Sequence, residues 1–161
     1  MLARAESEAL VERFRRYLRD RRLPVTRQRI AVAEILLASD DHPSVEILRR
    51  RVVEKGEHVG MATLYRTVDA LVKSGLVRER DFGEGFKRYE PAREPSEHAH
   101  LVCRRCGGVV EFANDRLERM LRMTADEHHF QYERHRVEIH GVCGQCRSRD
   151  LGGAFEESDD R

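Results

Sequence analysis

The sequence predicts an α+β chain, with a helix-rich N-terminal domain that closes on a β-hairpin and a smaller strand-containing domain built around four cysteines. Three observations carry this. Apolar residues recur at helical spacing through the first 74 positions, and alternating strand-like runs follow. Residues 92–97 contain Pro and Glu but no core residue, which marks a hinge. All four Cys lie beyond it, in two Cys-x-x-Cys pairs. The expected division is a domain over 1–91, the hinge over 92–97, a second domain over 98–150 and an acidic tail over 151–161.

Taken in order, residues 4–22 read as a basic helix with Leu10, Phe14 and Leu18 on one face, stopped by Pro24. Thr26 is the expected N-cap of a second helix that carries Ile30, Ile35 and Leu37 and runs to about Ser39. A turn over 40–44 leads to Ser44, which caps a third helix bearing Val45, Ile47, Leu48, Val52 and Val53. After a loop punctuated by Gly56 and Gly60, a fourth helix covers 61–74, with Leu64, Val68, Leu71 and Val72 inward and Gly75 as its terminator. Residues 76–82 and 86–90 then form a hairpin around Gly83-Glu84-Gly85. Helices followed by a two-stranded hairpin give the pattern of a winged helix, a variant of helix-turn-helix. Beyond the hinge, 98–102 and 109–112 read as strands flanking a cysteine knuckle, 115–128 as a helix and 132–142 as a long strand.

Composition narrows the class. Two domains in 161 residues leave each with a marginal core, so the second calls for a metal staple or a partner subunit. Charged residues make up 37% of the chain, aromatics 6%, and Trp is absent, so the core must be Leu, Val and Ile. The net charge of +1 is unevenly spread, +4 over 1–91 and −3 over 92–161. The basic half suits phosphate and the acidic half suits cations. No apolar run is long enough to cross a membrane, and the N-terminus lacks the apolar core of a signal peptide. A cytoplasmic protein is therefore expected, and in that setting paired cysteines read as metal ligands rather than disulfides.

Cys103-Arg104-Arg105-Cys106 and Cys143-Gly144-Gln145-Cys146 each place two thiolates about 3.5–4 Å apart, and together they make the four-sulfur cage that zinc prefers. A closed cage has no open position, so its role is structural; a redox switch through the same thiols is the rival. His98 and His100 share one face of the strand before the first pair, and Glu111 lies on the neighbouring strand. Imidazoles and carboxylates suit Fe²⁺, Mn²⁺, Zn²⁺ or Co²⁺. From spacing alone only His98 and His100 form a persuasive pair; His42, Glu90 and Glu111 read equally well as solvated residues.

The run from His98 to Phe112, HAHLVCRRCGGVVEF, resembles the signature of the ferric uptake regulator family. Residues 61–67 (MATLYRT) resemble that family's recognition helix, 25–29 (VTRQR) the opening of its second helix, and 41–44 (DHPS) the loop before its third. The resemblance spans roughly residues 20–148. It implies a homodimeric, metal-dependent repressor binding double-stranded DNA at a palindromic operator, with structural Zn²⁺ on the four cysteines and Fe²⁺ or Mn²⁺ as corepressor. It further implies a regulatory site of His42, Glu90, His98, His100 and Glu111, and an additional site at Glu97, Glu118 and His135. Ala99 stands where the family often has Asp, a departure that weakens the additional site. Peroxide sensors of the family tend to carry Asp where Glu111 stands, and zinc-uptake members often place a Cys among the sensory ligands, so the ligand set resembles the iron branch; a peroxide-sensing or zinc-uptake regulator is the alternative.

As the major-groove reader, the fourth helix would present Thr63, Tyr65, Arg66 and Thr67, with Arg29 and the hairpin's Lys87 and Arg88 reaching the backbone. Two other classes fit parts of this pattern, a metal-dependent hydrolase and a zinc-stapled protein adaptor. No HExxH motif and no nucleophile–base arrangement supports the hydrolase, so an enzyme is not expected.

Overall fold

The computed structural model describes residues 4–92 and 99–152. The chain divides into two compact units, residues 1–93 and 94–161. Most of the expected hinge, with Glu97 and His98, lies outside the described residues, as does most of the expected acidic tail.

The first unit contains α1 (Arg4–Asp20), α2 (Arg27–Leu37), α3 (Val45–Glu54), α4 (Met61–Lys73), β1 (Val77–Asp81) and β2 (Lys87–Pro91). α1 buries Val11, Phe14 and Leu18, one stripe at helical spacing. It ends where Arg22 turns left-handed at φ 55° and the Leu23 amide donates to the Leu18 carbonyl at 2.8 Å. Thr26 caps α2 by accepting from the Arg29 amide at 3.3 Å. Seven of the eleven α2 residues are buried, which makes it the central helix and explains why its sequence lacks a polar face. Ser44 caps α3 through the Ile47 amide at 3.4 Å. Gly75, at φ 73°, closes α4 and permits the immediate turn into β1. The hairpin is antiparallel in a register running from Val77 opposite Pro91 to Asp81 opposite Lys87. Phe14, Leu18, Leu36, Leu37, Leu48, Leu64 and Leu71 form the fully buried centre of this unit.

The second unit contains β3 (Ala99–Cys103), β4 (Val109–Phe112), α5 (Asp115–Glu127), β5 (Glu138–Gly141) and α6 (Gly144–Gly152). Its sheet has the order β4-β3-β5, antiparallel between β3 and β4 and parallel between β3 and β5. Asn114 caps α5 by accepting from the Arg116 and Leu117 amides. Two elements differ from the expectation. The long strand over 132–142 is only four residues, because β3 offers a partner only from His100 opposite Glu138 to Cys103 opposite Gly141. The second cysteine pair opens directly into α6, which the Gly-containing sequence GQCRSRDLG does not announce.

Candidate metal centres and nucleic-acid interface

The four cysteines converge within the second unit. Cys103 ends β3, Cys106 closes the turn after it, Cys143 follows β5 and Cys146 lies on the first turn of α6. All four sulfurs lie within 4.8 Å of one another, and Cys106 Sγ is 3.8 Å from Cys143 Sγ. Zinc–sulfur bonds of about 2.3 Å in a tetrahedron set the sulfurs about 3.8 Å apart, so the cage fits the ion. Gly107 takes a left-handed φ of 67°, and a Cβ on Gly108 would meet Cys106 Sγ at 3.3 Å, so the knuckle depends on this glycine pair. Amides of Cys106, Cys143 and Arg105 point at Cys103 and hold its thiol down to about 6. The surrounding thiols, Cys143 first, together with burial push Cys146 up to about 12. The backbone thus supports one thiolate, and neighbouring sulfurs resist further negative charge unless a cation joins them.

A second set of ligand-type residues is built into the first unit. His42 and Glu90 are 1% and 2% exposed, and His42 Nε2 lies 2.5 Å from Glu90 Oε2. Several contacts put them there. Arg51 donates to Asp41 Oδ1 at 2.9 Å, pairs with the other Asp41 oxygen as well, and reaches Ser39 Oγ at 3.2 Å. This hydrogen-bonded Arg51 holds the Asp41 carboxyl below the usual carboxylate range. With Asp41 fixed, His42 takes a left-handed φ of 50°, which turns its ring inward with Phe82 packed edge-on at 5.9 Å. The β2 strand is then laced to the same loop: the Tyr89 amide donates to the Pro43 carbonyl at 3.1 Å and Arg88 Nη1 to the His42 carbonyl at 3.3 Å. One residue further along β2 comes Glu90. An imidazole nitrogen and a carboxylate oxygen from two separate elements therefore converge on one point, a donor pair that suits a borderline divalent ion.

In the second unit His100, 2% exposed, lies on β3 directly opposite Glu111 on β4. His98 and Glu97 fall outside the described residues. Of the residues of the additional site, Glu118 is half-buried on α5, and His135 Nδ1 is engaged by the Tyr132 hydroxyl.

α4, the expected reading helix, turns only part of its polar face outward. Gly60 provides no side-chain cap, Tyr65 is 50% exposed, and Arg66 is exposed beside it, one turn before Asp69 and its ion-pair partner Lys73. Thr63 is half-buried and Lys87 is exposed but paired with Glu79 at 2.5 Å, while Arg29 donates to the Pro24 carbonyl at 3.1 Å. Two expected DNA contacts do not match their surroundings. Thr67 is fully buried and donates its hydroxyl to the Thr63 carbonyl at 2.6 Å, because it shares the inner face with Leu64, Val68 and Leu71. Arg88 is also buried; its guanidinium grips Glu84 at 2.6 and 2.9 Å across the hairpin turn and stacks over Phe86. The sequence does not announce Arg51 and Arg88 as supports of the His42 loop. The spacing of Glu84 and Arg88 across a glycine-flanked turn was the available signal.

A winged helix followed by a four-sulfur centre defines the class: a winged-helix protein with metal-ligand chemistry in each unit. A model described as the ferric uptake regulator family matches residues 20–140. The chain is 36% identical over 151 residues to a ferric uptake regulation protein of Campylobacter jejuni, covering 92% of this chain and 96% of the relative. It is 38% identical over 125 residues to a zinc uptake regulation protein of Mycobacterium tuberculosis, covering 76% and 94% respectively. The solved ferric uptake regulator of Vibrio cholerae matches it with a TM-score of 0.67 and 32% identity, over 78% of this chain and 96% of that one. The chain belongs to the ferric uptake regulator family.

Proposed function

We propose that this chain is a metal-dependent, DNA-binding transcriptional repressor that responds to Fe²⁺ or Mn²⁺ and controls metal-uptake genes. The observation that carries the reading is the buried convergence of His42 Nε2 and Glu90 Oε2, two ligand-type groups fixed inside the DNA-reading unit itself. His42 and Glu90 precede residues 92–97, whereas His98, His100 and Glu111 follow them. A divalent ion shared by these five residues would couple the two domains, 1–91 and 98–150. His42 and Glu90 would anchor the reader, and ligation from both sides of the hinge would favour one of the arrangements the chain can adopt. By linkage, an operator that fits this arrangement tightens metal binding by the same factor.

Cys103, Cys106, Cys143 and Cys146 would hold a structural Zn²⁺, which ties β3 to α6. The second unit leaves Leu101, Val110, Met120, Met123 and Ile139 41–65% exposed, apolar surface that supports a homodimer. Two readers on one palindromic operator would compensate for the modest charge of each. No helix among the described residues is long and apolar enough to cross a membrane. Action on chromosomal DNA fits a cytoplasmic protein. The reading is of a binding protein, with no turnover of substrate.

The test is anaerobic fluorescence anisotropy on labelled promoter DNA, with the zinc-loaded chain titrated by Fe²⁺, Mn²⁺ and Zn²⁺ in turn. DNA retention that appears with micromolar Fe²⁺ or Mn²⁺ supports the iron-type reading, and loss of retention after peroxide moves it to a peroxide sensor. Retention at trace Zn²⁺ favours a zinc-uptake regulator. DNA binding indifferent to every metal overturns the corepressor mechanism.

A further inference from the structure

Glu90 does not face His42 alone. Its Oε1 accepts from Arg80 Nε at 3.0 Å and lies 2.8 Å from Arg80 Nη2, while Oε2 lies against His42. The Arg80 side chain is 19% exposed, so its charge belongs to the interior of the hairpin more than to the surface. The strand register explains why it stays there. Arg80 sits directly opposite Arg88, and two guanidinium groups face to face repel unless each has its own carboxylate. Arg88 has Glu84 and Arg80 has Glu90. The hairpin therefore builds a fixed cation into the back of a carboxylate that the regulatory reading makes a metal ligand.

We propose that Arg80 sets the metal threshold of the His42–Glu90 half-site: it occupies Glu90 Oε1, restricting Glu90 to one donor oxygen, and its charge weakens the binding of a divalent cation there. This rests on the regulatory reading above. Two effects oppose each other. The hydrogen bonds orient the carboxylate, which favours binding. The positive charge repels a dication and withdraws electron density from the ligand, which disfavours it. The orienting contribution is that of charge-assisted contacts to a single carboxylate oxygen, whereas the repulsion acts between a single and a double charge in a partly buried site, so repulsion decides the sign. Arg80 is thus a positioning residue with an attenuating charge, and it keeps the regulatory site weaker than its ligands alone would make it.

The experiment uses the full-length chain with zinc on its cysteines, titrated anaerobically with Co²⁺ against a competing chelator and followed by the visible ligand-field bands. Arg80→Gln removes the charge, Arg80→Lys keeps it, and His42→Ala tests the half-site; melting curves accompany each. Arg80→Gln should bind Co²⁺ about tenfold tighter. Its bands should weaken as the second Glu90 oxygen joins and the coordination number rises. Arg80→Lys should stay within about twofold of the unsubstituted chain, because the charge is retained. Unchanged or weaker Co²⁺ binding by a folded Arg80→Gln protein overturns the proposal, as does tightening by Arg80→Lys equal to that by Arg80→Gln. If His42→Ala leaves Co²⁺ binding intact, the half-site reading itself is wrong. Loss of Co²⁺ in His42→Ala without tightening in Arg80→Gln defeats the Arg80 proposal alone.

Discussion

Replacing Arg88 by Met should destabilise the N-terminal unit without touching its electrostatic contact with DNA. Met keeps the apolar stem and removes the guanidinium. The structure sets the size of the effect. Arg88 is 7% exposed and its partner Glu84 22%, with two short hydrogen bonds between them and a third to the His42 carbonyl at 3.3 Å. A fully buried pair broken on one side costs about 3–5 kcal/mol. Glu84 can recover part of its hydration, so the loss should be nearer the ~1.5–3 kcal/mol of a charge-assisted hydrogen bond. In a unit of this size each kcal/mol lowers Tm by about 4–8 °C. The assay pairs thermal melting by circular dichroism with DNA anisotropy across a salt series. Removing a residue that neutralises a phosphate would reduce the slope of log K against log salt by about one. The expected outcome is a lower Tm with an unchanged slope. A slope reduced by about one with Tm unchanged would refute the argument and restore Arg88 as a ligand of the DNA backbone.

Tyr65→Ala and Arg66→Ala should behave in the opposite way, weakening DNA binding by about 1–3 kcal/mol each while stability shifts by less than about 0.5 kcal/mol, read from the same two assays. Cys143→Ser should lower bound zinc below one ion per chain by elemental analysis and loosen the C-terminal unit, because a four-sulfur site contributes directly to folding. Phe14→Ala should destabilise the N-terminal unit by about 3–5 kcal/mol in urea unfolding, since Phe14 is fully buried where α1 meets the core.

What is legible in the sequence is local. Thr26, Ser44 and Gly75 announce helix ends because capping needs one side chain or one left-handed residue at one position. The cysteine pairs announce a cage because each closes its own turn. Facing and register are less legible. Thr67 is as polar as Thr63, and only the direction of the inner stripe of α4 puts its hydroxyl in the core. Arg88 reads as a contact to the DNA backbone, yet the hairpin register sets it opposite Arg80 and gives each arginine a carboxylate of its own. The apolar pattern overstates the length of β5 for the same reason, since a strand extends only as far as its neighbour.

The amphipathic pattern of α5 is legible, and its fold is as expected, yet none of its described residues is buried, and Met120 and Met123 are 65% and 60% exposed. A helix of thirteen residues draws most of its stability from packing, not from propensity. In one copy of the chain that packing is partial, with Leu117, Leu121 and Ala125 only half-buried. The C-terminal unit should therefore gain stability from a second copy, so its melting should depend on protomer concentration where that of the N-terminal unit, with its own closed core, does not. Melting of the two units followed separately over a hundredfold dilution series decides this; a concentration-independent C-terminal transition would mean that the zinc cage alone holds the unit together.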